Sequence, residues 1–244
     1  MDKLKFQQAI DKIVDVQHER NGIGTLGEKT LHAVLKHYYE PYEDNHETKI
    51  GNYVADIVGE NGIIEIQTRN FDKLLKKLTA FLEVANVTVV YPIAQTKWLY
   101  WVDTNTGEVT KKRKSPKCGK PYELFYELYW IKDILGHENL RFIVVLLELE
   151  EYRSLNGWSK DKKKGSTRVD RIPIDVLEEI ELRSNEDFHA LLPTTLPKEF
   201  TAKELQKATG GSPRKMHNTI QVLKQIGIVK QVGKQGRSFL YTVI

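Results

Sequence analysis

Cysteine is nearly missing from this chain: Cys118 is the one thiol among 244 residues. A lone thiol excludes an internal disulfide framework and any cysteine-rich zinc site. Long apolar runs are missing as well, and no window approaches the roughly eighteen consecutive apolar residues of a membrane-crossing helix. The opening segment, residues 1–13, is amphipathic and acid-bearing, without the apolar centre of a secretory signal. These absences give the expectation of a cytoplasmic protein that does not engage a membrane. The seven histidines show no HExxH or other zinc spacing. No P-loop occurs, and Gly22-Ile23-Gly24 is too short to read as a dinucleotide-binding glycine motif. Cys118 lies among Lys117 and Lys120, yet no histidine-bearing signature of a catalytic thiol surrounds it. Internal repeats and long low-complexity tracts are absent.

What is present is a chain with 40% apolar residues, enough for a packed core. Its net charge is +4, from 37 Lys and Arg against 33 Asp and Glu. The total hides an uneven distribution. Residues 195–244 hold nine basic residues, opposed only by Glu199 and Glu204, a net of +7. The rest of the chain holds 28 basic and 31 acidic residues, a net of −3. A split of this size points the C-terminal end at a polyanion.

Periodicity divides the chain in two. Residues 27–39 predict a helix, with Leu31, Val34, Leu35 and Tyr38 on one face, Thr25 as its cap and Pro41 as its stop. Strands are predicted over 47–51, 53–58 and 63–68, the last two joined by the hairpin signal Asn61-Gly62. Residues 71–84 predict a helix whose apolar face is Phe71, Leu74, Leu75, Leu78 and Leu82. A buried strand over 87–91 is expected to end at Pro92, with another over 97–102. Beyond a hairpin at Asn105-Thr106-Gly107 come a helix over 121–135, a strand over 142–149 and a short strand over 180–182. Aromatics Tyr122, Phe125, Tyr126, Tyr129 and Trp130 on that helix read as core. Pro193, Thr194, Thr195 and Pro197 mark a linker. The expected fold is therefore α/β, a mixed central sheet flanked by helices over residues 1–193, followed by a small domain over 194–244.

Three residues stand out within the strands. Side chains alternate along 63–68, so Glu65 and Gln67 share a face and Ile64 and Ile66 take the other. The hairpin brings Asp56 beside Glu65. Carboxylates within apolar strands cost several kcal/mol unless something compensates their charge, and a hard divalent cation does so. The plainer reading has Asp56 capping a turn and Glu65 paired with Lys49 or Arg69.

The order helix, three strands, helix, strand over 27–91, with these acids on its second and third strands, resembles the PD-(D/E)XK nuclease superfamily. The resemblance implies a restriction-endonuclease-like core and metal-assisted phosphodiester hydrolysis. It makes Asp56 and Glu65 the ligands of Mg²⁺ (or Mn²⁺), with Glu28 on the first helix completing the shell. Gln67 stands where the family carries its catalytic lysine, and it can orient water without supplying charge. Lys76, Lys77 or Arg69 are the candidates to replace that charge.

The tail has a separate pattern. Thr201 caps a helix to about 209, Gly210-Gly211 turns, and Ser212-Pro213 opens a second helix whose Ile220, Leu223 and Ile226 face inward. Residues 228–232 and 237–243 then form a hairpin. This is the order of a winged helix-turn-helix, whose second helix enters the DNA major groove. Arg214, Lys215, His217, Asn218 and Gln221 are its exposed candidates, and Lys234 and Arg237 form a basic wing suited to phosphates. A module used for protein contacts is the plainer reading. The basic runs 111–120 and 160–171 are either phosphate-tracking or solvated loops, and Trp158 is a stacking candidate. The sequence therefore points to a Mg²⁺-dependent DNA endonuclease targeted by its tail, with a homodimer required for double-strand cuts. The alternatives are a catalytically inactive nuclease-fold DNA-binding regulator and an RNA substrate.

Overall fold

A computed structural model describes residues 1–21, 29–103, 106–154 and 167–244. Helices α1 (Lys3–Asn21) and α2 (Lys29–Tyr39) precede strands β1 (His46–Ile50), β2 (Tyr53–Gly59) and β3 (Gly62–Ile66). Helix α3 (Leu75–Leu82), strands β4 (Val87–Val102) and β5 (Arg113–Lys114), helix α4 (Leu124–Leu128), and strands β6 (Leu140–Ser154) and β7 (Thr167–Leu182) follow. The seven strands form one mixed sheet in the order β1-β2-β3-β4-β6-β7, with β5 paired to β4. β3, β4 and β6 are parallel neighbours, and the remaining pairs are antiparallel. Helices cover both faces, so the chain is an α/β protein.

Each layer follows from an apolar stripe. Leu31, Val34, Leu35 and Tyr38 of α2 are buried with Phe6 and Ile10 of α1 against Ile57, Ile66, Val90, Val145, Leu147 and Val176. Leu78, Phe81 and Leu82 of α3 and Leu124, Phe125 and Leu128 of α4 are buried against Ile63, Val87, Val89, Phe142 and Val144 on the opposite face. Each fully buried side chain of this size stabilises the fold by about 1.5–3 kcal/mol. The β2–β3 hairpin closes at the pair Gly59–Gly62, so its two loop residues are Glu60 and Asn61 rather than the Asn61-Gly62 pair that gave the hairpin signal. Gly62 has φ 104°, and a Cβ there would lie 2.3 Å from the Asn86 carbonyl oxygen, so only glycine fits.

Several boundaries differ from expectation for identifiable reasons. Pro92 does not end a strand, because β4 runs on to Val102. Gln67 N–H bonds the Val90 oxygen at 2.9 Å, so Val90, and Pro92 two residues on, turn their backbone polar groups to the β3 side. β3 has ended at Ile66, so no ladder bond is demanded of the missing N–H. β7 is sixteen residues long where the sequence suggested three. Three irregularities in its register against β6 shift the alternation of its side chains. Residues 121–135 form α4 between two 3-10 segments, broken at Ile131 (φ −122°). Phe125 is fully buried there, whereas Trp130 is 41% exposed. Residues 71–73 are likewise a 3-10 turn preceding α3. Thr25, Asn105 and Trp158 lie outside the described residues.

After α5 (Asn185–Ala190), residues 199–243 form β8 (Glu199–Thr201), α6 (Ala202–Thr209), α7 (Pro213–Gln225), β9 (Val229–Gln235) and β10 (Ser238–Val243). β8 adds a third strand beside the expected hairpin, in the order β8-β10-β9. Thr201 and Glu204 exchange hydrogen bonds in a capping box. Ser212 Oγ accepts the Lys215 N–H at 3.4 Å with Pro213 at the first helical position. Met216, Ile220 and Leu223 of α7 join the cluster of α4, and Tyr122 Oη donates to the Thr209 oxygen at 3.1 Å. The tail is thus docked on α4.

Candidate active site

The ladder between β2 and β3 extends from Gly59–Gly62 to Ile57–Ile64, and there the strands part. The next residues along them are Asp56 and Glu65. Each carboxylate crosses the gap to the other strand. Glu65 Oε1 accepts the Asp56 N–H at 3.1 Å, and Asp56 Oδ2 accepts the Ile66 N–H at 2.8 Å. Two acidic side chains thereby satisfy backbone donors that the separated strands would leave open.

Helices supply the remaining partners. His32 Nε2 of α2 lies 3.1 Å from Asp56 Oδ2, and Lys77 Nζ of α3 lies 2.6 Å from Glu65 Oε2. Glu65 is 1% exposed. Burial, and then the charge of Asp56, push its carboxyl up to about 7 against the pull of Lys77. Burial acts on Asp56 in the same direction, but His32, the Ile66 N–H and Lys77 outweigh it and hold that carboxyl below the ordinary range. The site therefore concentrates two carboxylates on one ammonium, and an added cation would relieve it. Two hard oxygen ligands suit Mg²⁺ or Mn²⁺ in kind. Among the described residues no group of three or more His, Cys, Asp or Glu converges as a metal centre. Glu28, the expected third acid, lies outside the described residues.

The four expected catalytic positions are thus not all brought together. Asp56 and Glu65 meet, while Gln67 turns away. Its Nε2 donates to the carbonyl oxygens of Arg69 and Asn70, closing the loop where Asn70 is left-handed (φ 61°). The cation comes from Lys77, one of the two helix lysines that spacing offered. His32 was missed; its one available signal was a polar residue beside Leu31 on an otherwise inward-facing turn.

In the tail, Met216, Thr219, Ile220, Val222 and Leu223 of α7 are buried. Arg214 and His217 are exposed and Asn218 and Gln221 half-buried, at the 3–4 residue spacing of one helical stripe. Lys215 is exposed, but its Nζ stands 4.2 Å from the ring centre of Tyr126 on α4. Lys234 and Arg237 are exposed on the β9–β10 ribbon, where Lys234 Nζ lies 5.5 Å from the Phe239 ring centre. No helix among the described residues is long and apolar enough to cross a membrane.

No solved structure matches the chain. It is 29% identical over 221 residues to an uncharacterized protein of Treponema pallidum (strain Nichols), a similarity covering 90% of this chain and 86% of that protein. The family model described as Domain of unknown function (DUF8091) matches residues 29–183, a span that includes Asp56, Glu65 and Lys77. The match takes in more than half of the sequence, and the chain belongs to the DUF8091 family.

Proposed function

We propose that this protein is a metal-dependent DNA endonuclease whose PD-(D/E)XK-like core cuts phosphodiester bonds and whose C-terminal winged helix directs it to DNA. The observation that carries the reading is the Lys77 ammonium, 2.6 Å from the buried Glu65 carboxylate beside Asp56. Acid, acid and lysine are the three charges that such a core needs, with the lysine supplied from α3 in place of Gln67. Asp56 and Glu65 would hold Mg²⁺ or Mn²⁺. A bound ion would lower the pKa of a water and offset charge growing on the scissile phosphate. Lys77 would orient the attacking water and carry positive charge toward the phosphate. His32 fixes the rotamer of Asp56. In the tail, the stripe Arg214, His217, Asn218 and Gln221 reads the groove while Lys234 and Arg237 contact phosphates. Double-strand cutting by this site requires a homodimer.

One observation favours the alternative of an inactive DNA-binding regulator. Both carboxylates already bond strand N–H groups, and Gln67 is committed to loop carbonyls. Calorimetric titration with Mg²⁺ and Mn²⁺ separates the two. The nuclease reading expects divalent-ion binding that Asp56→Ala and Glu65→Ala each abolish. Equal binding in all three proteins would contradict it.

A further inference from the structure

In the tail, every residue from 230 to 239 is exposed, and together they form the outer part of the β9–β10 ribbon. Charge along this ribbon has one sign. No acidic residue occurs after Glu204, and Lys230, Lys234 and Arg237 lie within the exposed stretch. Two large apolar side chains stand among these cations, Val232 at 44% exposure and Phe239 at 48%. Phe239 belongs to a stripe that is buried further along. Side chains alternate on β10, so Phe239, Tyr241 and Val243 share a face. Tyr241 is buried, with its ring centre 6.0 Å from that of Phe200. The pairing of β9 with β10 then shifts register between Leu240 and Tyr241, where Val232 has no opposite residue. Such a bulge bends a strand pair and increases its twist. Beyond it, Phe239 faces Lys234 across the ribbon, with the Lys234 Nζ 5.5 Å from its ring centre.

We infer that Phe239 contacts a nucleobase, entering duplex DNA as an apolar wedge between base steps, with Lys230, Lys234 and Arg237 on the flanking phosphates. An aromatic ring is among the largest apolar surfaces a side chain can remove from water, and here half of it is left in water. Whatever covers the ring must also accept a ribbon that bears cations and no anion. A second copy of the ribbon would set like charges against one another. DNA meets both demands, because its phosphates neutralise the cations and its bases offer a π face to the ring. Wedges of this kind act from the minor groove, where they unstack one base step and kink the duplex. The inference deepens the DNA-targeting half of the proposed function and rests on it. It gives the wing a contact with bases, where that reading has the wing touch phosphates alone.

The test is fluorescence anisotropy of the full chain on short duplexes across a salt series, without divalent ions so that no strand is cut. Phe239→Ala is expected to bind about 5–100-fold more weakly with an unchanged salt slope, because the deleted contact carries no charge. Phe239→Trp is expected to restore most of that affinity, since it keeps a stacking ring. Both variants should retain the wild-type Tm, the ring being exposed. In duplexes carrying one 2-aminopurine at successive positions, the wild type is expected to raise the fluorescence at one step by unstacking it. Phe239→Ala is expected to raise it at none. Equal affinity of the wild type and Phe239→Ala overturns the inference and leaves the DNA-targeting reading standing. So does a wild type that binds without unstacking any step. Self-association lost in Phe239→Ala, with DNA binding unchanged, overturns it as well and makes the ring a contact between protein copies. Failure of the wild type to bind any duplex removes the DNA-targeting reading itself, and the wedge with it.

Discussion

Lys77 and Glu65 form an ion pair 2.6 Å long between α3 and β3, with the carboxylate almost wholly buried and the lysine 21% exposed. An exposed pair of this kind contributes about 0–1 kcal/mol, but removing the cation from a buried acid is far more disruptive. In Lys77→Met, Glu65 is expected to take up a proton, which limits the stability loss to about 1–3 kcal/mol. On the nuclease reading, cleavage should by contrast fall by about 10²–10³-fold, because that reading has the Lys77 charge facing the phosphate. Comparing urea unfolding with nicking rates checks this. A variant that loses stability and keeps its rate would make Lys77 purely structural.

Gly62 fixes the register that sets Asp56 opposite Glu65. Its φ of 104° and the Asn86 oxygen, 2.3 Å from where a Cβ would stand, leave no room for alanine. Gly62→Ala is expected to cost at least about 2 kcal/mol in denaturant unfolding. Divalent-ion affinity should fall with it.

The two classes of basic residue in the tail should behave differently. Arg214→Ala, Lys234→Ala and Arg237→Ala are expected to weaken DNA binding, and wherever the deleted cation neutralised a phosphate the salt slope should drop by about one. Lys215→Ala should act chiefly on stability, by about 0.5–1 kcal/mol, because its ammonium no longer sits over the Tyr126 ring. Fluorescence anisotropy across a salt series, beside thermal unfolding, separates these outcomes.

His37 makes the protein sensitive to acid. Its Nδ1 is buried without a hydrogen-bond partner among the described residues, and its ring packs edge-on against His46 at 4.8 Å. Burial, then Lys12 and His46, lower its pKa from the ordinary 6.5. The unfolded chain therefore binds a proton that the folded chain resists, so stability falls as pH drops from 6.5 toward the depressed native value. His37→Phe keeps the ring and is expected to flatten this loss between pH 7 and about 5, as read by Tm. A pH profile identical to the wild type would contradict the assignment.

Local chemistry accounts for what the sequence disclosed. The closure of the hairpin at Gly59–Gly62 places Asp56 beside Glu65, and Ser212-Pro213 starts α7 where capping rules put it. What sequence left undecided depends on the sheet. Lys76 and Lys77 were equal by spacing, and the packing of Leu78 and Phe81 turns Lys77 toward Glu65. Pro92 sits within β4 because β3 stops beside it, which no local pattern reveals.

Plasmid cleavage in Mg²⁺ and Mn²⁺ by the wild type and Glu65→Gln tests the central claim most directly. The account expects nicked or linear product with the wild type and none with the variant, at equal folded concentration. Supercoiled plasmid left intact by the wild type in both metals, or cut equally by Glu65→Gln, would contradict it.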